Sequence, residues 1–483
     1  MNRIIILALP VEGHFNPFIP IVVKLVERGH QVMFITGSIF KERVEKTGAI
    51  FHPLPVKLDP GDQEMYDFYP GLKNQKGLSQ IKYYLKHILY DSVPDVLNEL
   101  DQVLESFHAD LVIWDTFMIA GGWKTELGGP PNARLSVLPL SLPGKNIAPF
   151  GLGLSPGKSF FSRLRNNLLN VIFEKLLFKD IQTYANETRK KAGLPPYEKS
   201  FFIKGFEIPN LVLHTSTPSF EYSRNEFPAN FRFIGTLLTL PNDRYNKPDW
   251  WPEIEQDLPV VLINQGTIAN NYDNLILPAI EALKDEKMII LAVPVKAGDI
   301  KDLPANTHTE PYIPFGNILP HVDLMITNGG FGGTQNALAH GIPVIIAGAT
   351  EDKMEVAARV ENSGAGINLG KQQPTSEEIK KAVMKILSDP SYKQKAKELQ
   401  ADYAKYDAPA LAVELIEELF VKTRGASQEE IDKTKARLHY TTDLAEAVKD
   451  ADILSESVAE NLEIKKNFYK YPNPSYQDPD FLK

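Results

Sequence analysis

The chain has 483 residues, 43% hydrophobic and 23% charged, with a net charge of −9 and no cysteine. That length exceeds one ordinary hydrophobic core and implies two or three domains of a soluble globular kind. The acidic balance speaks against a nucleic-acid partner, and the lack of cysteine excludes disulfides, thiolate chemistry and cysteine-ligated zinc, which fits a reducing, cytoplasmic setting.

The opening "MNRIIILALPVEGH" places one basic residue before a short apolar run that stops at Pro10 and Glu12 with no small-residue cleavage site. A first buried β-strand is expected there, not a secretory leader. No stretch nears the ~18 uninterrupted apolar residues of a membrane span, so no stable membrane insertion is expected. "NPFIPIVVKLVERGH" has apolar positions at helical spacing, "QVMFITG" reads as the next strand and "SIFKERVEKTG" as the next helix. After an irregular acidic and aromatic stretch, "DSVPDVLNELDQVLESFHAD" reads as a helix feeding the strand "LVIWD". This rhythm predicts an α/β domain, a parallel sheet wrapped by helices.

From about Leu140 to Pro209 the rhythm breaks into a Gly- and Pro-rich stretch and the amphipathic "FSRLRNNLLNVIFEKLLFKD". A cleft-lining element and a plain surface excursion fit it equally. "NLVLHTS" and "FRFIGTL" restore strands, and the polar "LPNDRYNKPDWWPEIEQDLP" reads as a linker. A second set follows: "PVVLINQGT", the helix "NLILPAIEALKDE", "KMIILAVP", "HTEPYIP", "DLMITNGG", "PVIIAGA", "AGINLG" and the helix "TSEEIKKAVMKILSD". Two such domains leave a cleft, and in open α/β sheets ligands bind at strand carboxyl ends.

Four glycines, Gly329, Gly330, Gly332 and Gly333, follow the strand "LMIT", and Gly266 and Thr267 follow "VVLIN". Glycines there let backbone N–H groups approach an anion, and a helix beginning near Gly333 would add its positive end. Either loop alone fits an empty turn as well; two in one domain favour a phosphate cradle. "GAGINLG" and "GLGLSPG" are one residue away from the dinucleotide fingerprint, open no helix after a strand and read as turns. In the first domain His14 follows the first strand and Asp115 ends "LVIWD". A carboxylate accepting from one imidazole nitrogen leaves the other to take a proton from a hydroxyl, although a structural His beside a capping Asp gives the same pattern.

"PVEGHFNPFIPIVVKLVERGHQVMFITG" and "PYIPFGNILPHVDLMITNGGFGGTQNALAHGIPVIIAGATEDK" resemble the GT-B glycosyltransferases, specifically the nucleotide-sugar-dependent family of macrolide, flavonoid and plant secondary-metabolite enzymes, over residues 1–420. The resemblance implies two Rossmann-like domains facing each other across a cleft: an acceptor domain at 1–236, a linker at 237–257, a donor domain at 258–405, a helix at 406–421 returning to the first domain, and a short C-terminal extension at 422–483. It further implies His14 as catalytic base and Asp115 as the residue that orients it. Gly266 and Thr267 would touch the donor diphosphate, and Tyr312, Ile313, Pro314 and Phe315 the nucleobase. Gly330, Gly332, Gly333 and Thr334 would form the phosphate turn, and Glu351, Asp352 and Lys353 would hold the sugar. Three positions depart from the family: its phosphate-contacting His is Asn328, its ribose-binding Glu falls at Asn336, and its sugar-contacting Gln is Lys353.

The implied reaction is inverting transfer of a sugar from a nucleotide diphosphate donor, UDP-glucose foremost, to a hydroxyl of a small lipophilic acceptor, with no cofactor and no metal. The only D-x-D pairs, Asp450/Asp452 and Asp478/Asp480, lie outside the matching region. Tyr66, Phe68, Tyr69, Phe150, Phe160 and Phe161 would give an acceptor site aromatic surface, although core packing accounts for any one of them. A non-catalytic sugar-nucleotide-binding or scaffold protein is the alternative from a different class, and an epimerase or hydrolase on the same fold a second. The tail segment "TTDLAEAVKDADILSESVAENLEIKKNFY" resembles part of the NAD domain of 3-hydroxyacyl-CoA dehydrogenases, but no G-x-G-x-x-G precedes it, and it reads as catalytically inert.

Overall fold

A strand without polar alternation is stable where both faces of its sheet are covered, and "RIIIL" is such a strand: Ile4, Ile5, Ile6 and Leu7 are fully buried. The computed structural model describes residues 1–423 apart from 64, 76, 225, 267–270, 295–299, 301 and 351. Strands β1 (Arg3–Leu7), β2 (Gln31–Thr36), β3 (Ile50–Pro53), β4 (Leu111–Asp115), β5 (Asn132–Ser136), β6 (Leu211–His214) and β7 (Phe231–Phe233) form one sheet in the order β3-β2-β1-β4-β5-β6-β7. Strands β8 (Val260–Asn264), β9 (Ile289–Val293), β10 (Thr307–Thr309), β11 (Leu324–Thr327), β12 (Val344–Ile346) and β13 (Gly366–Asn368) form a second, in the order β10-β9-β8-β11-β12-β13. The strand pairings are parallel, as a strand–helix–strand chain requires.

Both orders reverse at the same place. β1 lies between β2 and β4, and β8 between β9 and β11, so the loops leaving β1 and β4, and those leaving β8 and β11, part and leave a crevice. Helices cover the faces: Phe18–Glu27 buries Phe18, Ile21, Val22 and Leu25 at intervals of three and one, the inward face of an amphipathic turn. Residues 1–419 hold both sheets in one compact unit. Leu140 and Glu221, on the segments that leave the carboxyl ends of β5 and β6, contact Arg359 on the helix Lys353–Ser363 that follows β12, so the carboxyl ends of the two sheets face each other.

Two strands escape the apolar pattern. β3 is a half-exposed edge strand ending in Pro53. β5 reads N-A-R-L-S and is wholly buried, with most of its polar groups held by partners: Asn132 Oδ1 accepts from Trp114 Nε1 at 2.6 Å and Arg134 Nη1 donates to the Gly205 carbonyl at 2.8 Å. The expected linker 237–257 is shorter in practice, because Trp251 and Ile254 are packed into the core of the second domain. The helix Ala408–Thr423 runs through the expected boundary at 421/422. Its Glu417 carboxylate accepts from Arg28 at 2.6 Å and lies 3.2 Å from His30 Nε2, tying the helix back to the first domain. The dehydrogenase-like segment lies outside the described residues.

Candidate active site

Trp114 pairs with Leu7 across β1 and β4, so the residues just beyond these strands stand at the switch point of the first sheet. Asp115 closes β4 and is fully buried; His14 sits on the short turn of helix Glu12–Phe15 and is largely covered. His14 Nδ1 and Asp115 Oδ1 are 2.7 Å apart. A carboxylate there accepts the Nδ1 proton and makes Nε2 the basic nitrogen of the ring. Phe117 packs edge-on against the imidazole, with ring centroids 5.4 Å apart, and Tyr84 packs beyond Phe117. Burial lowers the guanidinium of Arg134 to about 10 while the Asp115 carboxylate opposes that shift, so a buried cation stands close enough to Asp115 to feel its charge. Neither Phe117 nor Arg134 was legible beside this pair; "WDTF" puts Phe117 two residues after Asp115, and nothing local points to Arg134 on the neighbouring strand β5.

The second sheet repeats the arrangement. Gly266 follows β8 with a φ of +86°, and its N–H donates to Asn264 Oδ1 at 2.6 Å. Asn328 follows β11, and one of its amide N–H groups donates to the Gln265 carbonyl, closing the two loops on each other. Gly329 has a φ of +93°, and a Cβ there would come within 2.7 Å of Ile346 Cγ2, so this glycine is demanded by backbone and packing alike. Gly330 and Gly332 differ: a Cβ at either would meet nothing within 4 Å. Packing does not require these two glycines, which border open space at the start of the helix Phe331–Ala339. The helix begins at Phe331 with Gly330 as its N-cap, two residues earlier than the sequence suggests, and no side chain caps it. Its first backbone N–H groups lack intrahelical acceptors and attract an anion. Among the described residues Asn328 Oδ1 and the hydroxyl of the fully buried Thr334 have no hydrogen-bond partner, and a buried polar atom left so calls for a bound group or water.

Around this turn the remaining candidates sort clearly. Lys353 packs beside Gly329 and Gly348 and donates to Thr350 Oγ1 at 3.3 Å, with Asp352 just before it at the start of helix Lys353–Ser363. Tyr312 is 65% exposed and Phe315 lies 3.5 Å from the position of a Cβ on Gly333. Pro314 is buried as the cap of the short helix Phe315–Ile318. Two of the candidates are engaged within the fold. Ile313 is 4% exposed in the core of the second domain and offers a ligand no side chain. Asn336, 5% exposed, accepts the Thr239 N–H at 3.0 Å and donates to the Gly332 carbonyl at 2.9 Å, so its amide holds the interdomain crossover. Thr267, Glu351 and the side chain of Tyr66 lie outside the described residues. Among the described residues no three His, Asp or Glu side chains group to hold an ion.

Of the aromatic candidates, Phe68 packs edge-on with Tyr69, whose phenol is pushed up to about 12 by burial and by Tyr83. Phe150 is half-buried beside Gly151, whose N–H donates to Glu355 Oε1 at 2.8 Å. Phe160 and Phe161 are 74% and 79% exposed. Alanine at Gly332 should separate the empty-turn reading from the ligand reading. As a helical residue it is expected to stabilise the fold by up to about 1 kcal/mol, yet to weaken nucleoside-diphosphate binding, as read by calorimetric titration beside thermal melting.

Two parallel-sheet domains with facing carboxyl ends, a paired histidine and carboxylate on one side and a glycine turn on the other, define the GT-B architecture. The calicheamicin glycosyltransferase has the same fold, with a TM-score of 0.68 at 20% identity over 88% of this chain and all of that one. The sequence matches the "Glycosyltransferase family 28 N-terminal domain" over residues 4–109 and the "Erythromycin biosynthesis protein CIII-like, C-terminal domain" over residues 274–419. It is 36% identical to the 4'-demethylrebeccamycin synthase of Lentzea aerocolonigenes, covering 86% of this chain and 99% of that protein. It is 35% identical to UDP-glycosyltransferase 2 of Phaeomoniella chlamydospora, covering 86% and 95%. The chain belongs to the GT-B nucleotide-sugar-dependent glycosyltransferases. A weaker match, to the "3-hydroxyacyl-CoA dehydrogenase, NAD binding domain" over residues 401–476, overlaps the helices Pro390–Tyr403 and Ala408–Thr423 of the glycosyltransferase unit.

Proposed function

We propose that this enzyme transfers glucose from UDP-glucose, with inversion, to a hydroxyl of a lipophilic natural product of phenolic, terpenoid or macrolide type, and that His14 is the base. The observation that carries the reading is the 2.7 Å pair of His14 and Asp115 at the switch point of the first sheet. His14 Nε2 takes the proton of the acceptor hydroxyl as its oxygen attacks the anomeric carbon; Asp115 holds the ring and stabilises the imidazolium that forms. The departing diphosphate meets the N-terminus of helix Phe331–Ala339, the backbone at Gly330 and Gly332, and the charge of Lys353. These groups supply positive potential without a metal ion. The name of UDP-glycosyltransferase 2 supports a UDP-linked donor.

The test is a panel of UDP-, TDP- and GDP-sugars against hydroxylated aromatics, terpenoids and macrolides, with product and released nucleotide read by mass spectrometry. UDP-glucose should give product at the highest rate. Preference for a TDP-sugar would overturn the donor assignment, and no product across the panel would overturn the whole reading.

A further inference from the structure

The helix Phe160–Ile172 is packed with its polar face inward. Phe160, Leu164, Leu168 and Val171 recur at intervals of four, four and three and define one face, with Phe161 beside them; Asn166, Asn170 and Phe173 lie on the opposite side. That opposite side is the buried one. Asn166 is fully buried and its amide donates to the carbonyls of Asn146 at 2.9 Å and Ser155 at 3.3 Å, while Asn170 donates to Ile147 at 2.8 Å. The apolar face points outward, with Phe160, Phe161, Leu164, Leu168 and Val171 between 51% and 79% exposed, and it continues to Leu176 at 71%. An amphipathic helix ordinarily turns its apolar stripe to the core, and a contiguous exposed apolar patch marks a surface that something covers.

The surrounding charge says what covers it. Residues 158–179 carry five cations, Lys158, Arg163, Arg165, Lys175 and Lys179, against one carboxylate, Glu174, a local charge of +4 on a chain of net −9. Among the described residues none of these five cations pairs with a carboxylate. The neighbouring Asp180 is occupied by Lys82 at 2.8 Å and Lys86 at 2.9 Å. A second copy docked face to face would bring +4 against +4. Bulky apolar residues on one side, with lysine and arginine along the flanks, suit a helix lying in the headgroup region of an anionic bilayer. We propose that the face from Phe160 to Leu176 docks this enzyme reversibly on an anionic membrane surface. The helix lies in the plane of the interface and does not span it; no described helix is long and apolar enough to cross a membrane.

The test is sedimentation of the full chain with vesicles of phosphatidylcholine alone and of phosphatidylcholine mixed with phosphatidylglycerol. Wild type should pellet with the mixed vesicles, remain in solution with the neutral ones, and be released by high salt. The double variant Leu164→Glu/Leu168→Glu changes only exposed positions and should keep the wild-type melting curve while losing roughly tenfold or more in partition. Arg163→Glu/Lys175→Glu should lose anionic selectivity with the apolar face intact. Equal pelleting of wild type and the Leu164→Glu/Leu168→Glu variant overturns the proposal, as does wild type that ignores both vesicles. A dimer in gel filtration that the same variant splits would put a second copy on the face and overturns it too.

Discussion

Replacing His14 by alanine is expected to lower the rate of glycosyl transfer by roughly 10²–10⁴-fold, the usual contribution of a positioned general base. His14 is largely covered and packs against Phe117, but the buried partner in the pair is Asp115. The variant should therefore fold and still bind the donor, because the glycine turn proposed to hold the donor follows β11 of the other sheet. The loss belongs in kcat, with the KM for the nucleotide sugar little changed, because proton transfer occurs only in the transition state. Asp115→Asn keeps the size of the side chain but lets the amide donate to Nδ1, which favours the wrong tautomer, and it should show a comparable kinetic loss. A His14→Ala enzyme of undiminished rate would remove the imidazole from the chemistry.

The second large effect is expected at Arg359. Its Nε donates to Glu221 Oε2 at 2.7 Å, Nη1 to Glu355 Oε2 at 3.0 Å and Nη2 to the Leu140 carbonyl at 3.0 Å, all within a fully buried cluster joining the two domains. Burial works against the guanidinium charge, but Glu221, Tyr222 and Glu355 outweigh it and hold the group protonated. Glu355 carries the tie further, since its Oε1 accepts the N–H groups of Gly151 and Gly153 at 2.8 and 2.9 Å. Gly153, at a φ of +59°, lies so close to Met354 that a Cβ would come within 2.8 Å. Arg359→Ala would leave two buried carboxylates facing each other, and a loss of about 3–5 kcal/mol is expected in denaturant titration. Glu221→Gln, which keeps a hydrogen-bond acceptor, should cost less.

The same cluster sets the acid limit of the fold. Burial alone would raise Glu221, but Arg359 and His214 bring it down to about 2, whereas an unfolded glutamate titrates at about 4.3. Its contribution is full above about 4.3 and is lost as pH falls from there toward 2. Burial lowers His214 despite Glu221, so the folded state disfavours a proton that the unfolded chain takes up below about 6.5. Both groups therefore weaken the fold on the acid side. The denaturation midpoint should be flat near neutrality and fall below about pH 6.5, and Arg359→Ala should shrink the part of that fall that belongs to Glu221.

What was legible in the sequence is what depends on local pattern. Apolar strands and the glycines after β11 announce themselves, because a buried parallel strand needs an unbroken apolar run and a strand-to-helix turn needs small residues. β5 did not, since Asn132 and Arg134 are buried on the strength of partners at Trp114 and Gly205, distant in sequence or hidden behind a polar name. For the same reason nothing local showed that Ile313 packs in the core or that Asn336 accepts from Thr239. The cluster of Glu221, Glu355 and Arg359 spans 138 residues; "MEVAAR" hints at the i, i+4 half of it and nothing local hints at Glu221. The inverted helix at Phe160 was visible as an amphipathic pattern, but which face it buries is decided by the carbonyls of Asn146, Ile147 and Ser155.

The most direct test of the central claim is one assay of wild type and His14→Ala side by side with UDP-glucose and an accepted acceptor, reading the rate of glycoside formation and the anomeric configuration of the product by NMR. A single displacement with His14 as base predicts an inverted, β-linked glucoside from the α-linked donor, formed rapidly by wild type and at least roughly 10²-fold more slowly by the variant. A retained α-linkage, or equal rates in the two proteins, would contradict it.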